Sequence, residues 1–228
     1  MSRNFYNEFR PRTLNDVISQ DQVTGILRNQ SLKNDFAHSY LFSGPSGTGK
    51  TSTARILAML LNCENPTPNG EPCCECHSCQ MAIAGNHWDI TEIDAARYRG
   101  IDDVKELVYK SYLSPFGKRK VYILDECHML TDQAWAALLK LLEEPPPSLT
   151  IILVTSEYEK IPETIVSRCL KFSFSKLKPE CIKAKLTRIC QAIGVNAYPK
   201  HLDFIGQSSN GNQRMAENTL QQVCALVK

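Results

Sequence analysis

A glycine-rich stretch with one lysine, residues 44–51 with the sequence GPSGTGKT, is the segment best suited to bind phosphate. It fills the pattern G-x-x-x-x-G-K-[ST]. Glycines let the backbone turn its N–H groups toward a phosphate, and a following helix adds positive partial charge at its N-terminus. Lys50 is expected to contact the outer phosphates, and the Thr51 hydroxyl to bind Mg²⁺. The predicted nucleotide-binding residues are Gly44, Pro45, Ser46, Gly47, Thr48, Gly49, Lys50, Thr51 and Ser52.

The residues around this loop favour a phosphate site over a chance glycine turn. The apolar run 39–42 before it is typical of a buried strand, and residues 53–61 after it have a helical pattern. Strand, loop and helix in this order are the setting that the motif needs. We therefore predict that the chain binds a nucleoside triphosphate.

Two adjacent carboxylates, Asp125 and Glu126, follow a second apolar run at 121–124. A carboxylate at the end of a buried strand can hold Mg²⁺ through water, and the next one can polarise an attacking water. The alternative is the polar start of a loop. We predict Thr51 and Asp125 as the Mg²⁺ ligands, and Lys50 and Glu126 as catalytic residues, with Glu126 as the general base.

Four of the ten cysteines have a spacing typical of metal ligands. Three form C-x2-C-x2-C, the fourth lies ten residues earlier, and the turn-rich residues 64–72 can fold the chain back between them. Four thiolates suit a closed, tetrahedral structural Zn²⁺ site. Cys74 and His77 are alternative ligands, and free thiols in a loop are the other interpretation. The predicted zinc ligands are Cys63, Cys73, Cys76 and Cys79.

Composition excludes several classes of protein. With 228 residues and 43% hydrophobic residues, the chain can build a sizeable core. It has no apolar run near the roughly 20 residues of a membrane span, and residues 1–17 lack the apolar segment of a signal peptide. We therefore expect a cytoplasmic protein without a membrane partner. The net charge of +2 does not by itself indicate nucleic-acid binding.

Strands and helices are predicted to alternate through residues 39–174. The predicted strands are 39–43, 90–94, 121–126, 150–155 and 171–174, and the predicted helices are 49–62, 102–112 and 132–143. Alternation with continuous apolar strands indicates an α/β fold with a parallel sheet between helices. The pattern then becomes helical only, at 179–193, 199–208 and 212–227. We predict an ATP-binding domain at 1–176, with a zinc module at about 63–82, and a helical lid domain at 177–228.

Taken together, these motifs resemble those of the gamma/tau subunits of bacterial DNA polymerase III, the AAA+ P-loop ATPases of sliding-clamp loaders. The resemblance runs from about Asn7 to the end of the chain. It is carried by FRPRTLNDVISQDQV, HSYLFSGPSGTGKTSTARILAMLLNC, the cysteine cluster, VYILDECHML, ALLKLLEEPP, LVTSEYEKIPETIVSRC and a late Gly-x-x-Arg. The cysteine cluster combined with the SRC motif is specific to this family. The resemblance implies ATP, Mg²⁺ and Zn²⁺ as cofactors.

The resemblance also implies roles that spacing alone does not give. Thr155 matches the residue that senses the γ-phosphate, Arg168 matches an arginine finger that reaches a neighbouring subunit's ATP, and Arg214 matches a lid arginine that contacts phosphate in the same subunit. The N-terminal segment is similar to one that lies against the nucleotide base. Its candidate nucleotide-binding residues are Arg10, Pro11, Val17 and Ile18.

The family contacts DNA phosphates from the inside of a spiral of subunits. Arg97, Arg99 and Lys140 fall near such positions, although solvated surface charge is the alternative for each. The implied partners are other clamp-loader subunits in a hetero-oligomer, the sliding clamp and primed DNA. Family members continue into a helical collar beyond the point where this sequence ends at Lys228. The expectation is either no collar or a shortened or reduced homologue.

The resemblance implies an ATPase motor subunit that uses ATP binding and hydrolysis to load a clamp on primed DNA during replication. One alternative is another AAA+ ATPase that remodels nucleic acid, such as a helicase loader or a branch-migration motor. The cysteine cluster and the SRC motif argue against it. A second alternative is a clamp-loader-like binding subunit without hydrolysis, against which the intact Lys50, Thr51, Asp125 and Glu126 argue.

Overall fold

Residues 39–173 contain the five strands of one parallel β-sheet. The structure is a computed structural model that describes residues 4–98 and 100–226. The strands lie in the order β2-β3-β4-β1-β5, and every pair is parallel. Their bounds are β1 Ser39–Ser43, β2 Ile90–Asp94, β3 Lys120–Asp125, β4 Leu149–Thr155 and β5 Leu170–Ser173.

The described residues also form ten α-helices. They are α1 Phe5–Glu8, α2 Asp21–Lys33, α3 Lys50–Asn62, α4 His77–Ala84, α5 Ile101–Ser111, α6 Asp132–Glu143, α7 Glu163–Val166, α8 Pro179–Ile193, α9 Pro199–Ser208 and α10 Gln213–Leu226. None of the helices in these ranges is long and apolar enough to cross a membrane.

The central strands β1 and β4 are buried along their whole length because each face of the sheet has its own core. Side chains alternate between the two faces of a strand. Leu41 and Leu153 therefore pack with α5 and α6, whereas Phe42 and Val154 pack with α2 and α3. This double burial explains why the strands are continuously apolar.

Helices α8, α9 and α10 pack around a third core that is separate from the sheet. Ile182, Leu202 and Leu220 are buried in it, and Phe5 from α1 is buried with them. The Phe5 N–H also donates to the Gln221 side chain at 2.9 Å. The C-terminal helices therefore pack against the N-terminal residues of the chain. The division into two domains at residues 176–177 stays a prediction.

The predicted α/β fold is confirmed, and all five predicted strands are present within one residue at each end. One difference concerns Glu126, which was predicted to close the third strand. The strand β3 ends at Asp125, and Glu126 has a φ of +48°, outside the extended region. Helices α1, α2, α4 and α7 were not predicted. The hydrophobic face of α2 is narrow, with Val23 and Leu27 as its buried apolar residues.

The buried sheet gives a direct test of the core. Ile152, in β4, is fully buried, whereas Ile26, in α2, is 48% exposed. We expect Ile152→Ala to lower the free energy of unfolding by about 2–5 kcal/mol, because it removes buried methyl groups and leaves a cavity. The matched variant Ile26→Ala should change it by no more than about 0.5 kcal/mol. Urea unfolding measures both, and equal losses would contradict the described layering.

Candidate nucleotide site and cysteine cluster

The glycine-rich loop between β1 and α3 has the backbone geometry of a phosphate cradle. Gly44, Gly47 and Gly49 have φ values of +142°, +75° and +101°, which side-chain-bearing residues rarely adopt. A Cβ on Gly44 would also lie only 2.2 Å from the carbonyl oxygen of Phe174. Helix α3 begins at Lys50, so the loop leads directly into a helix N-terminus.

Lys50, Thr51 and Asp125 meet at the base of this loop. The Lys50 ammonium donates to the carbonyl oxygens of Gly44 and Pro45 at 2.7 and 2.9 Å. The Thr51 hydroxyl donates to Asp125 Oδ2 at 2.9 Å. Burial lowers the pKa of Lys50, although the nearby carboxylates oppose this, and burial raises the pKa of Asp125. The two predicted Mg²⁺ ligands are therefore direct neighbours.

Glu126 contacts one polar residue that follows β4 and one that follows β3. Ser156 Oγ donates to Glu126 Oε2 at 2.8 Å, and His128 Nδ1 lies 3.5 Å from the same oxygen. The His128 side chain, which is 6% exposed, also contacts Thr155 and Glu157. Its Nδ1 lies 3.1 Å from Thr155 Oγ1, and its Nε2 lies 3.0 Å from Glu157 Oε1. Thr155 and Glu126 are predicted site residues, whereas this histidine, two residues after Glu126, was not predicted.

A cavity of about 240 Å³ opens at this loop. Its walls come from the loop and the start of α3, the ends of β2 and β3, the N-terminal segment and α10. The lining residues are Tyr6, Arg10, Pro11, Ser46, Gly47, Gly49, Lys50, Thr51, Ser52, Asp94, Asp125, Glu126, Gln213, Arg214 and Glu217. Most of the predicted nucleotide-binding residues therefore surround one space.

Arg214 enters this cavity from α10 and contacts the N-terminal segment. Its Nη2 donates to the Tyr6 hydroxyl at 2.7 Å, and its guanidinium carbon lies 4.4 Å from the centre of the Tyr6 ring. The Arg10 guanidinium carbon lies 4.7 Å from the same ring centre. Two predicted site residues thus share one aromatic partner, which the sequence analysis did not identify.

The start of α10 is bound directly to the phosphate loop. The Gln213 N–H donates to the Gly47 carbonyl oxygen at 2.9 Å. The Asn212 side chain lies so close that a Cβ on Gly47 would be 2.0 Å from its Oδ1. One turn further, Gln213 Nε2 donates to Glu217 Oε1 at 2.7 Å. Neither Gln213 nor Glu217 was predicted, although their spacing from Arg214 places all three in adjacent turns of α10.

The other predicted residues of the N-terminal segment lie behind the cavity wall. Val17 is buried in the core beside α3, and its Cγ1 is the atom nearest to a Cβ built on Gly49, at 3.7 Å. Ile18 packs against the core of α8–α10. Arg10 and Pro11 therefore reach the cavity, whereas Val17 and Ile18 support the residues that do.

Arg168 lies apart from this cavity. It follows α7, and its Nη2 donates to Glu143 Oε1 at 2.7 Å while its Nη1 donates to the Thr164 carbonyl oxygen at 2.6 Å. Its side chain is one-third exposed, at 34%. The structure therefore fixes the direction of this guanidinium without bringing it to the phosphate loop of its own chain.

Two of the three predicted DNA-contacting residues are on the surface. Arg97 is 81% exposed and lies 3.6 Å from the Asp94 carboxylate. Lys140 is exposed on α6. Arg99 lies outside the described residues. Their contact with DNA stays a prediction.

The four predicted zinc ligands come together between α3 and α4. Their sulfur atoms all lie within 4.8 Å of one another, with Cys73 Sγ at 3.6 Å from Cys63 Sγ and 3.8 Å from Cys79 Sγ. A tetrahedron of sulfurs at the usual zinc–sulfur distance has edges of about 3.8 Å. The cluster thus has the size that a Zn²⁺ ion requires.

N–H donors surround three sulfurs of this cluster and favour the thiolate of Cys73, whereas burial raises the pKa of Cys63 and of Cys79. The N–H groups of Cys73, Cys76 and Cys79 each donate to the sulfur of an earlier cysteine in the cluster, at 3.3–3.4 Å. Burial acts to raise the pKa of Cys73, but hydrogen bonds from Cys76 and its neighbours outweigh it and lower this pKa to about 6. Thiolate is the form that binds metal.

The two alternative ligands, Cys74 and His77, are not part of the group of four sulfurs. Cys74 Sγ instead donates to the Arg12 carbonyl oxygen at 3.8 Å. Nearby, Glu71 accepts from the Leu14 N–H at 2.7 Å and from Arg28 at 2.9 Å. The cysteine segment is thereby tied to the N-terminal segment that lines the cavity.

Sequence comparison shows which known proteins this chain is similar to. The profile of the family described as DNA polymerase III, delta subunit, matches residues 19–178. The tau subunit of DNA polymerase III from Bacillus subtilis is 42% identical over 95% of this chain and 38% of its own length. The gamma subunit from Buchnera aphidicola is 40% identical over 97% of this chain and 60% of its own length. The chain thus spans less than two thirds of these curated relatives.

Solved structures show the same fold at low identity. The RuvB Holliday junction branch migration motor of Thermotoga maritima superposes with a TM-score of 0.71 at 18% identity. The match covers 95% of this chain and 65% of that one. At this identity, the likeness shows the fold alone.

The cysteine cluster predicts a measurable metal content. We expect about one Zn²⁺ per folded, reduced chain, because four thiolates form a closed tetrahedral site. Cys76→Ser should lose the metal and lower the melting temperature, whereas the control Cys181→Ser, outside the cluster, should retain it. Elemental analysis and thermal unfolding measure both. A wild-type chain that folds with far less than one zinc would contradict the prediction.

Proposed function

Because this chain belongs to the family described as DNA polymerase III, delta subunit, and is similar to gamma and tau subunits, we propose that it is the ATPase motor subunit of a sliding-clamp loader. It uses ATP binding and hydrolysis to load the clamp on primed DNA during replication, in the cytoplasm. The observation that carries the proposal is the single cavity lined by Lys50, Thr51, Asp125 and Glu126. Nucleotide-binding and hydrolytic groups of these types in one cavity are what an ATPase requires.

In the proposed reaction, each group has a separate task. Lys50 contacts the outer phosphates, and Thr51 and Asp125 hold Mg²⁺, which supplies charge that stabilises the transferring phosphoryl group. Glu126 polarises the attacking water. Ser156 keeps the Glu126 carboxylate at the end of β4, beside Thr155, the proposed γ-phosphate sensor. His128 contacts both Thr155 and Glu126, so it fixes the sensor hydroxyl relative to the base.

Helix α10 is the proposed route from nucleotide to lid movement. Its first N–H is bound to Gly47 of the phosphate loop, and Arg214 reaches the same cavity. An arginine on one helix that contacts phosphate makes the position of that helix depend on the nucleotide. ATP binding thereby favours one lid position, and hydrolysis releases it.

Arg168 is proposed to complete the active site of a neighbouring subunit. Its guanidinium is held by Glu143 and lies apart from the cavity of its own chain. An arginine finger supplied in trans needs such a fixed, outward position. The proposed partners are therefore other clamp-loader subunits, the clamp and primed DNA, with Arg97, Arg99 and Lys140 contacting DNA phosphates.

The likeness to RuvB does not support the branch-migration alternative, because it shows similarity of fold and not of function. A binding subunit without hydrolysis remains the competing proposal, and the intact Glu126 disfavours it. ATPase activity measured with and without clamp and primed DNA separates the three functions. Stimulation by clamp together with primed DNA supports clamp loading, whereas a stably inactive chain supports the binding subunit.

Two substitutions separate ATP binding from hydrolysis. Lys50→Ala should abolish tight ATP binding because it removes the charge that meets the phosphates. Glu126→Gln should bind ATP normally and lose hydrolysis, since an amide is not a base. The controls Lys200→Ala and Glu180→Gln change exposed residues of the lid and should change neither. Titration calorimetry and phosphate release measure the two steps. Normal turnover by Glu126→Gln would refute the assignment of the base.

A mixing experiment tests the finger. In an assembly with partners, clamp and primed DNA, Arg168→Ala should lower turnover strongly and leave ATP binding nearly intact, because fingers in other NTPases contribute roughly 10³–10⁵ in rate. The control Arg188→Ala, exposed on α8, should have little effect. Mixing Arg168→Ala with Lys50→Ala chains restores one complete interface. No recovery in a mixture shown to co-assemble would count against a shared active site.

A further inference from the structure

Glu217 is a buried carboxyl group in the wall of the proposed nucleotide cavity. It is 1% exposed. Its Oε1 accepts from Gln213 Nε2 at 2.7 Å, whereas its Oε2 has no hydrogen-bond partner among the described residues. Burial raises the pKa of Glu217 to about 7, against the opposing effects of Gln213, Lys185 and Arg214. A buried acceptor without a partner is unfavourable, so a site residue of this kind is expected to meet a ligand donor.

The position of Glu217 on α10 places it away from the phosphates. The first N–H of α10 is bound to Gly47 of the phosphate loop, and Glu217 lies one turn, about 6 Å, further along the helix. The charge of Lys185 acts on Glu217, and the Lys185 ammonium donates to the Phe9 carbonyl oxygen at 2.9 Å. Phe9 precedes Arg10 and Pro11, which line the cavity. Glu217 therefore lies between the phosphate loop and the N-terminal segment.

We propose that Glu217 recognises the nucleoside half of the bound nucleotide, with its unpaired oxygen accepting a hydrogen bond from the nucleoside. The proposal rests on the proposed function, in which ATP binds with its phosphates on the loop. A nucleotide bound in this way extends its sugar and base away from the loop, toward the part of the cavity where Glu217 lies.

The chemistry of Glu217 restricts its partner on the nucleotide. An ionised carboxylate accepts hydrogen bonds and repels phosphate, so its partner is an N–H or O–H donor. Adenosine has two such sources, the 6-amino group of the base and the hydroxyls of the ribose. The 6-amino group distinguishes adenine from other purines, so Glu217 selects ATP if it binds there. Discrimination of this kind is strong where a buried polar group loses its partner.

The test measures binding of Mg²⁺-bound nucleotide analogues at about pH 8, above the pKa of Glu217. The analogues are ATP, purine riboside triphosphate, which lacks the 6-amino group, and the 2′-deoxy and 3′-deoxy forms of ATP. Each is titrated into wild type, Glu217→Leu, Glu217→Gln and the exposed control Glu180→Gln. Wild type and the control should bind purine riboside triphosphate about tenfold more weakly than ATP. For Glu217→Leu, the dissociation constants of ATP and purine riboside triphosphate should differ by no more than about twofold.

Each result decides the proposal. If a deoxy form loses affinity in wild type but not in Glu217→Leu, the ribose hydroxyl is the donor and recognition by Glu217 stands. If Glu217→Leu folds and discriminates all analogues as wild type does, the proposal is wrong while ATP binding remains. If Glu217→Leu does not fold, Glu217→Gln decides, because its neutral acceptor should reduce the discrimination. A folded wild type that binds no ATP overturns the proposed function itself.

Discussion

The parallel pairing of β1, β3 and β4 is the constraint on which the candidate site depends. In this register Ser43 pairs with Thr155 and Leu124 with Leu153, so the three strands end at the same edge of the sheet. Parallel sheets bind ligands at the carboxyl ends of their strands. The phosphate loop, the acidic pair and Thr155 meet there because the buried strands leave no freedom to slide.

Helix α10 and the N-terminal segment close this open edge into a cavity. Tyr6 contacts both Arg10 and Arg214, so two segments far apart in sequence close over the loop together. Phe5 is buried with helices α8–α10, and Glu71, two residues before Cys73, accepts a hydrogen bond from the Leu14 N–H. The N-terminal segment therefore connects the sheet, helices α8–α10 and the segment of the proposed metal site.

The sequence predicted the features that local pattern determines. Buried strands, the glycine loop, the acidic pair and the cysteine spacing each carry their signal within a few residues. What it missed depends on long-range packing. His128 meets Thr155, and Ser156 meets Glu126, only because β3 and β4 are neighbours. Glu217 reaches the cavity only because α10 docks on Gly47. The direction of Arg168 depends on its pairing with Glu143, 25 positions away.

The bond between Gln213 and Gly47 joins two main-chain groups. Substitutions along α10 therefore leave the link between this helix and the loop intact, provided that the helix keeps its start. In the proposed function, this separates two properties of one helix: a backbone bond joins the helix to the phosphate loop, while inward side chains face the nucleotide. The preference for a nucleotide can then change by substitution while the junction between helix and loop stays the same.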